Sequence, residues 1–431
     1  MKERISVGLL GFGTVGSGVA KMLTDNQEEI GHKVGCPLTV DKVLVKDMKK
    51  ARLVDVDEKL LTVEAADVLL DPDIDVIVEV MGGIERARDY ILQALSQGKH
   101  VVTANKDLIA LHGIELAAAA RENNCDLFFE ASVAGGIPII RSLVEGLASD
   151  RITKMIGIVN GTTNYMLTKM YKGRLAYDDV LKEAQEKGFA EADPSADVDG
   201  LDAARKMAIL STLGFSMNVD LDDVSVEGIS GLTNEDMDYS KRLGYVIKLL
   251  GIAKQCNGRI EVSVEPTLLP LKHPLASVND EYNAVYVYGE AVGETMFYGP
   301  GAGQLPTATA VVADVIAVSK NMRLGVCGKS SIPSYHEKVI KSDDEIELKT
   351  YFRLHVKDEP GVFSKITSLF ANEGISMEKI FQNPLMDQSS AAEIAIVTHR
   401  TTKQAQDAVC RALAAAEVVY DVKSKIRVEG D

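Results

Sequence analysis

Apolar residues along this chain fall into short unbroken runs separated by amphipathic stretches, and that rhythm changes twice. Ile5 to Leu10 is an apolar run suited to a buried parallel strand. It passes directly into Gly11-Phe12-Gly13-Thr14-Val15-Gly16, which opens an amphipathic stretch through Leu23. Strand-like runs recur at Val40 to Val45, Asp75 to Val80 and Val101-Val102, with helical periodicity at Glu85 to Leu95 and Leu108 to Arg121. This alternation predicts an α/β fold with a doubly wound parallel sheet of the Rossmann type. After Pro138 it gives way to helices and then to period-two segments at Ile260 to Val264 and Ala284 to Tyr288, which predict a mixed α+β domain. A helix from Thr307 to Met322 is expected to return the chain to the first domain.

A second change follows a polar stretch containing Pro333 and Ser342-Asp-Asp-Glu345, read as a linker. Beyond it the pattern runs strand (Tyr351 to Val356), helix (Val362 to Asn372), short strand (Ile375 to Met377), strand (Glu393 to Thr398), helix (Lys403 to Ala415), strand (Val422 to Val428). That order is ferredoxin-like. The expected division is a dinucleotide-binding domain at 1–137 completed by 304–325, a substrate and dimerisation domain at 138–303, a linker at 326–349 and a C-terminal domain at 350–431.

Composition narrows the partners. A formal net charge of −16 makes phosphate backbones and anionic lipid poor partners, and no apolar run reaches membrane-spanning length. Five scattered cysteines without a C-x-x-C pair argue against a disulfide framework or a zinc ribbon, and point to a reducing cytoplasm.

Candidate chemistry gathers in five places. In the glycine turn, Gly11 permits the bend, Gly13 admits a pyrophosphate, Gly16 allows close helix packing, and the helix start offers its amides to the phosphates. After the second strand, Asp47 suits the ribose hydroxyl of NAD, whereas Lys46, Lys49, Lys50 and Arg52 suit the 2′-phosphate of NADP; the balance of charge leans towards NADP. Thr103-Ala-Asn-Lys106 stands at the carboxyl end of a strand, where open α/β sheets bind ligands, so Lys106 is expected to face the cofactor. Glu130, followed by the turn at Gly135-Gly136, offers one carboxylate and open carbonyls to a monovalent cation.

The densest stretch is Ala184 to Lys206. Pro194 and Gly200 break helical structure, so Glu191, Asp193, Asp197 and Asp199 are expected on a loop between two helices. In the helix that follows, Asp202 and Lys206 share a face at i, i+4.

This stretch resembles the signature of homoserine dehydrogenases: an alanine, a Gly-aromatic-small triplet, an Asp-Pro, then D-hydrophobic-x-G-x-D-x-x-x-K. Ile156-Gly-Ile-Val-Asn-Gly-Thr-Thr-Asn164 resembles the same family, and Asp358-Glu-Pro-Gly-Val-Phe363 resembles amino-acid-sensing ACT domains. The resemblance implies interconversion of L-homoserine and L-aspartate 4-semialdehyde with NADP or NAD. It implies Lys206 as the acid/base group with Lys106 as the other candidate, and Asp202 beside them. Glu191, Asp197, Asp202 and Gly188 would hold substrate, and Gly188 and Gly303 would join the glycine turn, Lys46, Thr103 and Lys106 around the coenzyme. It further implies a sodium site at Glu130, Val133, Gly135 and Ile137, a homodimer or homotetramer, and L-threonine as effector of the C-terminal module. The length leaves no room for the aspartate-kinase region of the bifunctional form. Another NAD(P)-dependent dehydrogenase of amino-acid metabolism, or a non-catalytic amino-acid sensor, are the rival readings.

Overall fold

The computed structural model describes residues 2–328, 332, 334–384 and 391–430; within the expected linker, residues 329–331 and 333 lie outside the described residues. The chain forms two compact units. The first comprises Met1–Met155, Arg205–Asp223 and Asn283–Glu337; the second comprises Ile156–Ala204, Val224–Tyr282 and Lys338–Asp431.

The first unit is built on a six-stranded sheet of β1 (Ile5–Leu10), β2 (Leu38–Leu44), β3 (Leu61–Thr62), β4 (Val76–Glu79), β5 (His100–Thr103) and β6 (Leu127–Phe128). All pairings are parallel and the order is β3-β2-β1-β4-β5-β6. Every residue of β1 is buried, as an interior parallel strand covered on both faces requires. The order reverses between β1 and β4, which makes the carboxyl ends of these two strands the crevice for a ligand. The helix Thr14–Asp25 buries Val19 and Leu23 in the same core as Val7, Leu9 and Val78. The returning helix is longer than expected, Gln304–Leu324, and adds Val311, Val315 and Val318 to that core. A Cβ on Gly18 would stand 2.8 Å from the Gln304 carbonyl oxygen, so glycine is what lets these two helices approach.

The later strands are β7 (Ile152–Ile158), β8 (Ser225–Val226), β9 (Tyr245–Cys256), β10 (Arg259–Pro270), β11 (Tyr282–Gly289), β12 (Gly293–Pro300), β13 (Glu347–Lys357), β14 (Met377–Pro384), β15 (Ala391–Thr398), β16 (Thr401–Thr402) and β17 (Val419–Val428). In the second unit β9 and β10 form a long antiparallel hairpin turned at Asn257-Gly258, both with positive φ. The C-terminal strands follow the order β17-β13-β15-β14, with helices Val362–Asn372 and Lys403–Ala414 between them, which is the ferredoxin-like arrangement. Phe352, Leu354, Ile366, Phe370, Ile394 and Leu413 fill its core.

Two expectations change here. The short strand expected at Ile375 to Met377 begins at Met377 and runs to Pro384, because Gly374 terminates the preceding helix with φ +70° and delays the extended chain. The polar stretch before the C-terminal module is not a free tether along its second half. Ile260 N–H donates to the Val339 carbonyl at 2.9 Å, Lys341 N–H returns a bond to Ile260 at 2.8 Å, and Arg259 pairs with Glu345 at 2.8 Å. β17 also lies parallel to β10, pairing Thr267 with Arg427 and Leu268 with Val428, so the C-terminal sheet continues into the β9–β10 hairpin. Arg427 is buried at this seam against Glu261 (3.1 Å), Glu265 (3.2 Å) and Glu429 (3.3 Å). Arg353 of β13 is buried against Asp236 and Glu393, each at 2.8 Å. Asp236 itself completes a capping box with Thr233 at the helix Asn234–Leu243.

Candidate active site

The glycine turn joins β1 to the helix Thr14–Asp25 at the reversal of strand order. Gly11 has φ +107°, and a Cβ there would meet the Val80 carbonyl oxygen at 2.8 Å. A Cβ on Gly16 would stand 2.2 Å from the Gly11 carbonyl oxygen, whereas Gly13 faces open space. Glycine at 11 and 16 is thus demanded by the chain itself, and glycine at 13 leaves room for a ligand. Phe12 is buried, while Thr14 and the partly buried Val15 begin the helix. A cleft of about 430 Å³ opens beside the turn. Lys46, Lys50, Arg52 and Arg86 line it together with Asp47. The Asp47 carboxylate already accepts the Lys49 N–H at 2.8 Å, and the Arg52 guanidinium donates to the Asp47 carbonyl.

Thr103 ends β5 and is fully buried; its hydroxyl donates to Glu79 Oε2 at 2.6 Å. Asn105 caps the helix Lys106–Glu122 by accepting the Leu108 N–H, which makes the half-buried Lys106 the first helical residue. Asp107, next to it, pairs with Arg205 at 2.8 Å.

Glu130 has a local duty that its sequence context did not reveal. Its two carboxylate oxygens accept the N–H groups of Ile140 (2.7 Å) and Arg141 (2.8 Å), capping the turn Ile139–Arg141. Burial raises its pKa against the pull of these amides. Its own N–H donates to Asp314, whose other oxygen holds Arg141 at 2.8 Å. Val133 and Ile137 are buried, and Gly135, at φ +54°, packs against the Gly301 carbonyl. The Ile137 carbonyl accepts the Ile139 N–H at 2.8 Å.

The acidic loop lies in the second unit and differs in detail from the expected plain loop. Asp193 accepts both the N–H (3.1 Å) and the hydroxyl (2.7 Å) of Ser195, and a one-turn helix Ser195–Val198 follows. This is a local turn in which the Asp193 side chain bonds its own backbone two residues on. Gly188, with φ +75°, ends the helix Tyr177–Glu186, and Thr162 ties down the next residue through the Phe189 carbonyl at 2.6 Å. Glu191 is exposed. Asp197 and Asp202 converge on one group: the side-chain amide of Asn160 donates to Asp197 at 2.7 Å and to Asp202 at 2.8 Å. The Asn160 carbonyl oxygen meanwhile caps the helix Gly161–Gly173 through Thr163 N–H at 2.9 Å.

Asn160 belonged to a recognised motif without an assigned role. The readable signal was local, an Asn three residues ahead of Thr163 at a helix start; its acidic partners lie 37 and 42 residues away. Asn164 anchors the other side of that helix by donating to the carbonyls of Asp280 (2.8 Å) and Tyr282 (3.0 Å). It also accepts from the buried Lys248 at 3.0 Å. Burial lowers the pKa of this ammonium to about 7.

The helix Leu201–Phe215 carries Asp202, 3% exposed, and one turn later Lys206, 9% exposed. A carboxylate and an ammonium so far from water are not a solvated surface pair. Gly303, φ +119°, precedes the helix Gln304–Leu324 as its N-cap.

Known proteins resemble this chain along its whole length. Residues 11–130 match the profile "Homoserine dehydrogenase, NAD binding domain", residues 138–316 match "Homoserine dehydrogenase" and residues 350–417 match "ACT domain". A homoserine dehydrogenase of Bacillus subtilis is 61% identical over 429 residues, spanning 100% of this chain and 99% of the relative. One from Corynebacterium glutamicum is 42% identical, spanning 99% of this chain and 96% of the relative. The crystal structure of a homoserine dehydrogenase from Thiobacillus denitrificans matches with a TM-score of 0.91 at 41% identity, covering 99% of this chain and 98% of that one. A hyperthermophilic archaeal homoserine dehydrogenase in complex with NADPH matches with a TM-score of 0.63 at 27% identity, covering 76% of this chain and 99% of that one. The three profile matches and this identity from end to end place the chain in the homoserine dehydrogenase family, as an NAD(P)-dependent oxidoreductase with a C-terminal ACT domain.

Proposed function

We propose that the enzyme interconverts L-homoserine and L-aspartate 4-semialdehyde, with NADP preferred to NAD, and that Lys206 moves the proton. Homoserine gives a hydride from its hydroxyl-bearing carbon to the oxidised coenzyme and a proton from its hydroxyl oxygen, leaving the aldehyde. The nicotinamide supplies only the hydride acceptor. Lys206 takes the proton in this direction and returns it to the carbonyl oxygen in reduction, with Lys106 the alternative for that step. Asp202 orients the hydroxyl end, and Asp197 and Glu191 take the substrate ammonium. The observation that carries this reading is the burial of both Asp202 and Lys206 one helical turn apart.

Following the absorbance of reduced coenzyme with homoserine and with the semialdehyde tests it. Lys206→Met is expected to lower kcat roughly a hundredfold or more. Near-normal turnover in Lys206→Met beside such a loss in Lys106→Met would reverse the two roles. Glu191→Gln should raise the KM for homoserine well beyond any change in coenzyme KM, and equal damage to both would remove its assignment.

Within this reading, residues 1–137 with 304–325 bind coenzyme, 138–303 bind substrate and 350–431 bind the effector. The cluster of Lys46, Lys50, Arg52 and Arg86 favours a 2′-phosphate, and Asp47 is already engaged by its own turn. The NADPH complex of the archaeal relative points the same way. A sodium ion at Glu130, Val133, Gly135 and Ile137 fits if it uses the second lone pairs of the Glu130 and Ile137 oxygens, which already accept chain amides. Its effect on activity would be seen by exchanging sodium for a large organic cation at constant ionic strength. Five free thiols suit a reducing cytoplasm, and assembly as a homodimer or homotetramer is readable by sedimentation.

The ACT domain is read as the site of feedback inhibition by L-threonine. Support comes from a contiguous route inside the second unit. β17 pairs with β10, β10 pairs with β8, and Ile229 N–H just beyond β8 donates to the Val198 carbonyl of the acidic loop at 2.8 Å. Deleting the module is a poor test, because it would strip β10 of a neighbour and leave Glu261 and Glu265 without Arg427. Gly361→Val is the sharper one: Gly361 stands at φ +89° before the helix Val362–Asn372, where a β-branched residue is strained. The expected result is a several-fold rise in the threonine midpoint with kcat unchanged.

A further inference from the structure

We propose that Glu79 is a positioning residue for hydride transfer: a sealed carboxylate that joins the turns after β4 and β5 and thereby fixes where Lys106 and the floor of the coenzyme cleft stand. This rests on the oxidoreductase reading above. Glu79 is the last residue of β4, at the reversal of strand order, and is 0% exposed. No arginine or lysine pairs with it among the described residues, and the groups that donate to it are neutral. Oε1 accepts the N–H groups of Met81 at 2.9 Å and Gly82 at 3.2 Å, and Oε2 accepts the Thr103 hydroxyl at 2.6 Å. The Thr103 oxygen in turn accepts the Asn105 N–H at 3.0 Å, and the Asn105 side-chain amide donates to the Gly83 carbonyl at 2.6 Å. The hydrogen bonds close a ring: Glu79 to the Met81–Gly83 turn, on to Asn105, on to Thr103, and back to Glu79.

The direction of that ring depends on an acceptor-only group. Because the carboxylate accepts, the Thr103 hydroxyl must spend its proton on Glu79, leaving its lone pairs for Asn105 N–H. An amide at position 79 presenting its NH₂ to Thr103 would give that oxygen two donors and its proton no acceptor. The isosteric change Glu79→Gln therefore reverses or opens the ring without emptying space. A buried carboxylate with no countercharge is costly, and a neutral residue could have closed a plain turn, so the cost is matched by what the ring holds. On one side it holds Asn105, the cap from which Lys106 departs. On the other it holds Val80 and Met81, which line the coenzyme cleft and lie within 3 Å of where a Gly11 Cβ would be.

The test compares full-length Glu79→Gln, Thr103→Val and the double variant by steady-state kinetics, thermal unfolding and the isotope effect of a deuterated reduced coenzyme. A misplaced nicotinamide or Lys106 slows hydride transfer itself. The expected outcome is a fall in kcat of about ten- to a hundredfold and a larger isotope effect in each single variant. The coenzyme KM should rise several-fold, and the double variant should be no worse than the weaker single one, since both break one ring. Lowered unfolding midpoints with unchanged isotope effect, unchanged coenzyme KM and additive losses would overturn the proposal and leave Glu79 a structural residue. If Glu79→Gln does not fold, Thr103→Val decides alone: an unchanged isotope effect and coenzyme KM in it are equally fatal.

Discussion

Two sets of buried acids, one in each unit, are held in different ways. In the second, Asp236, Glu393, Glu261 and Glu429 face Arg353 and Arg427, charge against charge. In the first, Glu79 and Glu130 face backbone N–H groups and a hydroxyl, and burial raises the pKa of each. An arginine-paired acid is neutralised and works as a joint between elements. An acid held by neutral dipoles has no countercharge, so burial works against its ionised form, and it acts instead by orienting the dipoles around it. The joints lie at the seams of the ACT domain; the aimed acids lie beside the coenzyme turn and the candidate cation segment.

The largest test of this contrast is Arg353→Met. It leaves Asp236 and Glu393 buried without their cation, and the expected loss is about 3–5 kcal/mol in urea unfolding, with the catalytic constants of the folded enzyme little changed. A loss under about 1 kcal/mol would mean that these acids behave like surface charges. Glu130→Gln probes the other class. One acceptor oxygen becomes a donor facing an amide, at a cost of about 1–3 kcal/mol, and here the loss should be accompanied by altered activity because the turn beside it moves.

Lys248 sharpens the comparison from the cationic side, since it is buried against the Asn164 and Val278 oxygens rather than paired with an acid. Its folded pKa, about 7, lies below the ordinary 10.5, so the unfolded chain binds the extra proton between those values. Stability should therefore rise as pH climbs from about 7 towards 10.5, and Lys248→Met should flatten that rise. The smallest effect is expected at the exposed pair Lys21–Asp25, where Lys21→Met should shift unfolding by no more than about 0.5 kcal/mol.

What could be read from the sequence was what is encoded locally. The strand-glycine-helix unit at Ile5 to Leu23 and the period changes of the C-terminal module are set by near neighbours in the chain, and both were legible. The acidic loop was legible as chemistry but not as geometry, because Asp193 folds its own turn while Asp197 and Asp202 are gathered by Asn160 from another helix. The Glu79–Thr103 contact, 24 residues apart, and the Arg353–Asp236 contact, 117 apart, leave no periodic trace. β9 escaped notice for a different reason: its first nine residues are all buried, Lys248 among them, so it shows no alternation of polar and apolar positions. The docking of residues 339–345 on β10 was hidden by their polarity, which suits a linker equally well.

The parallel pairing of β10 with β17 has a consequence for solubility. A strand edge that loses its neighbour presents unpaired N–H and carbonyl groups to any other chain that can supply a strand. β17 is the chain's last strand, and its ladder with β10 is short, Thr267 and Leu268 against Arg427 and Val428. Proteolytic loss of the final dozen residues would thus bare the Thr267–Leu268 part of the β10 edge and take Arg427 from the Glu261 and Glu265 carboxylates, whose repulsion is strongest at low salt. Such a clipped enzyme would stay dispersed in dilute buffer and self-associate as salt screens that repulsion, so the C-terminal strand guards the protein's colloidal state.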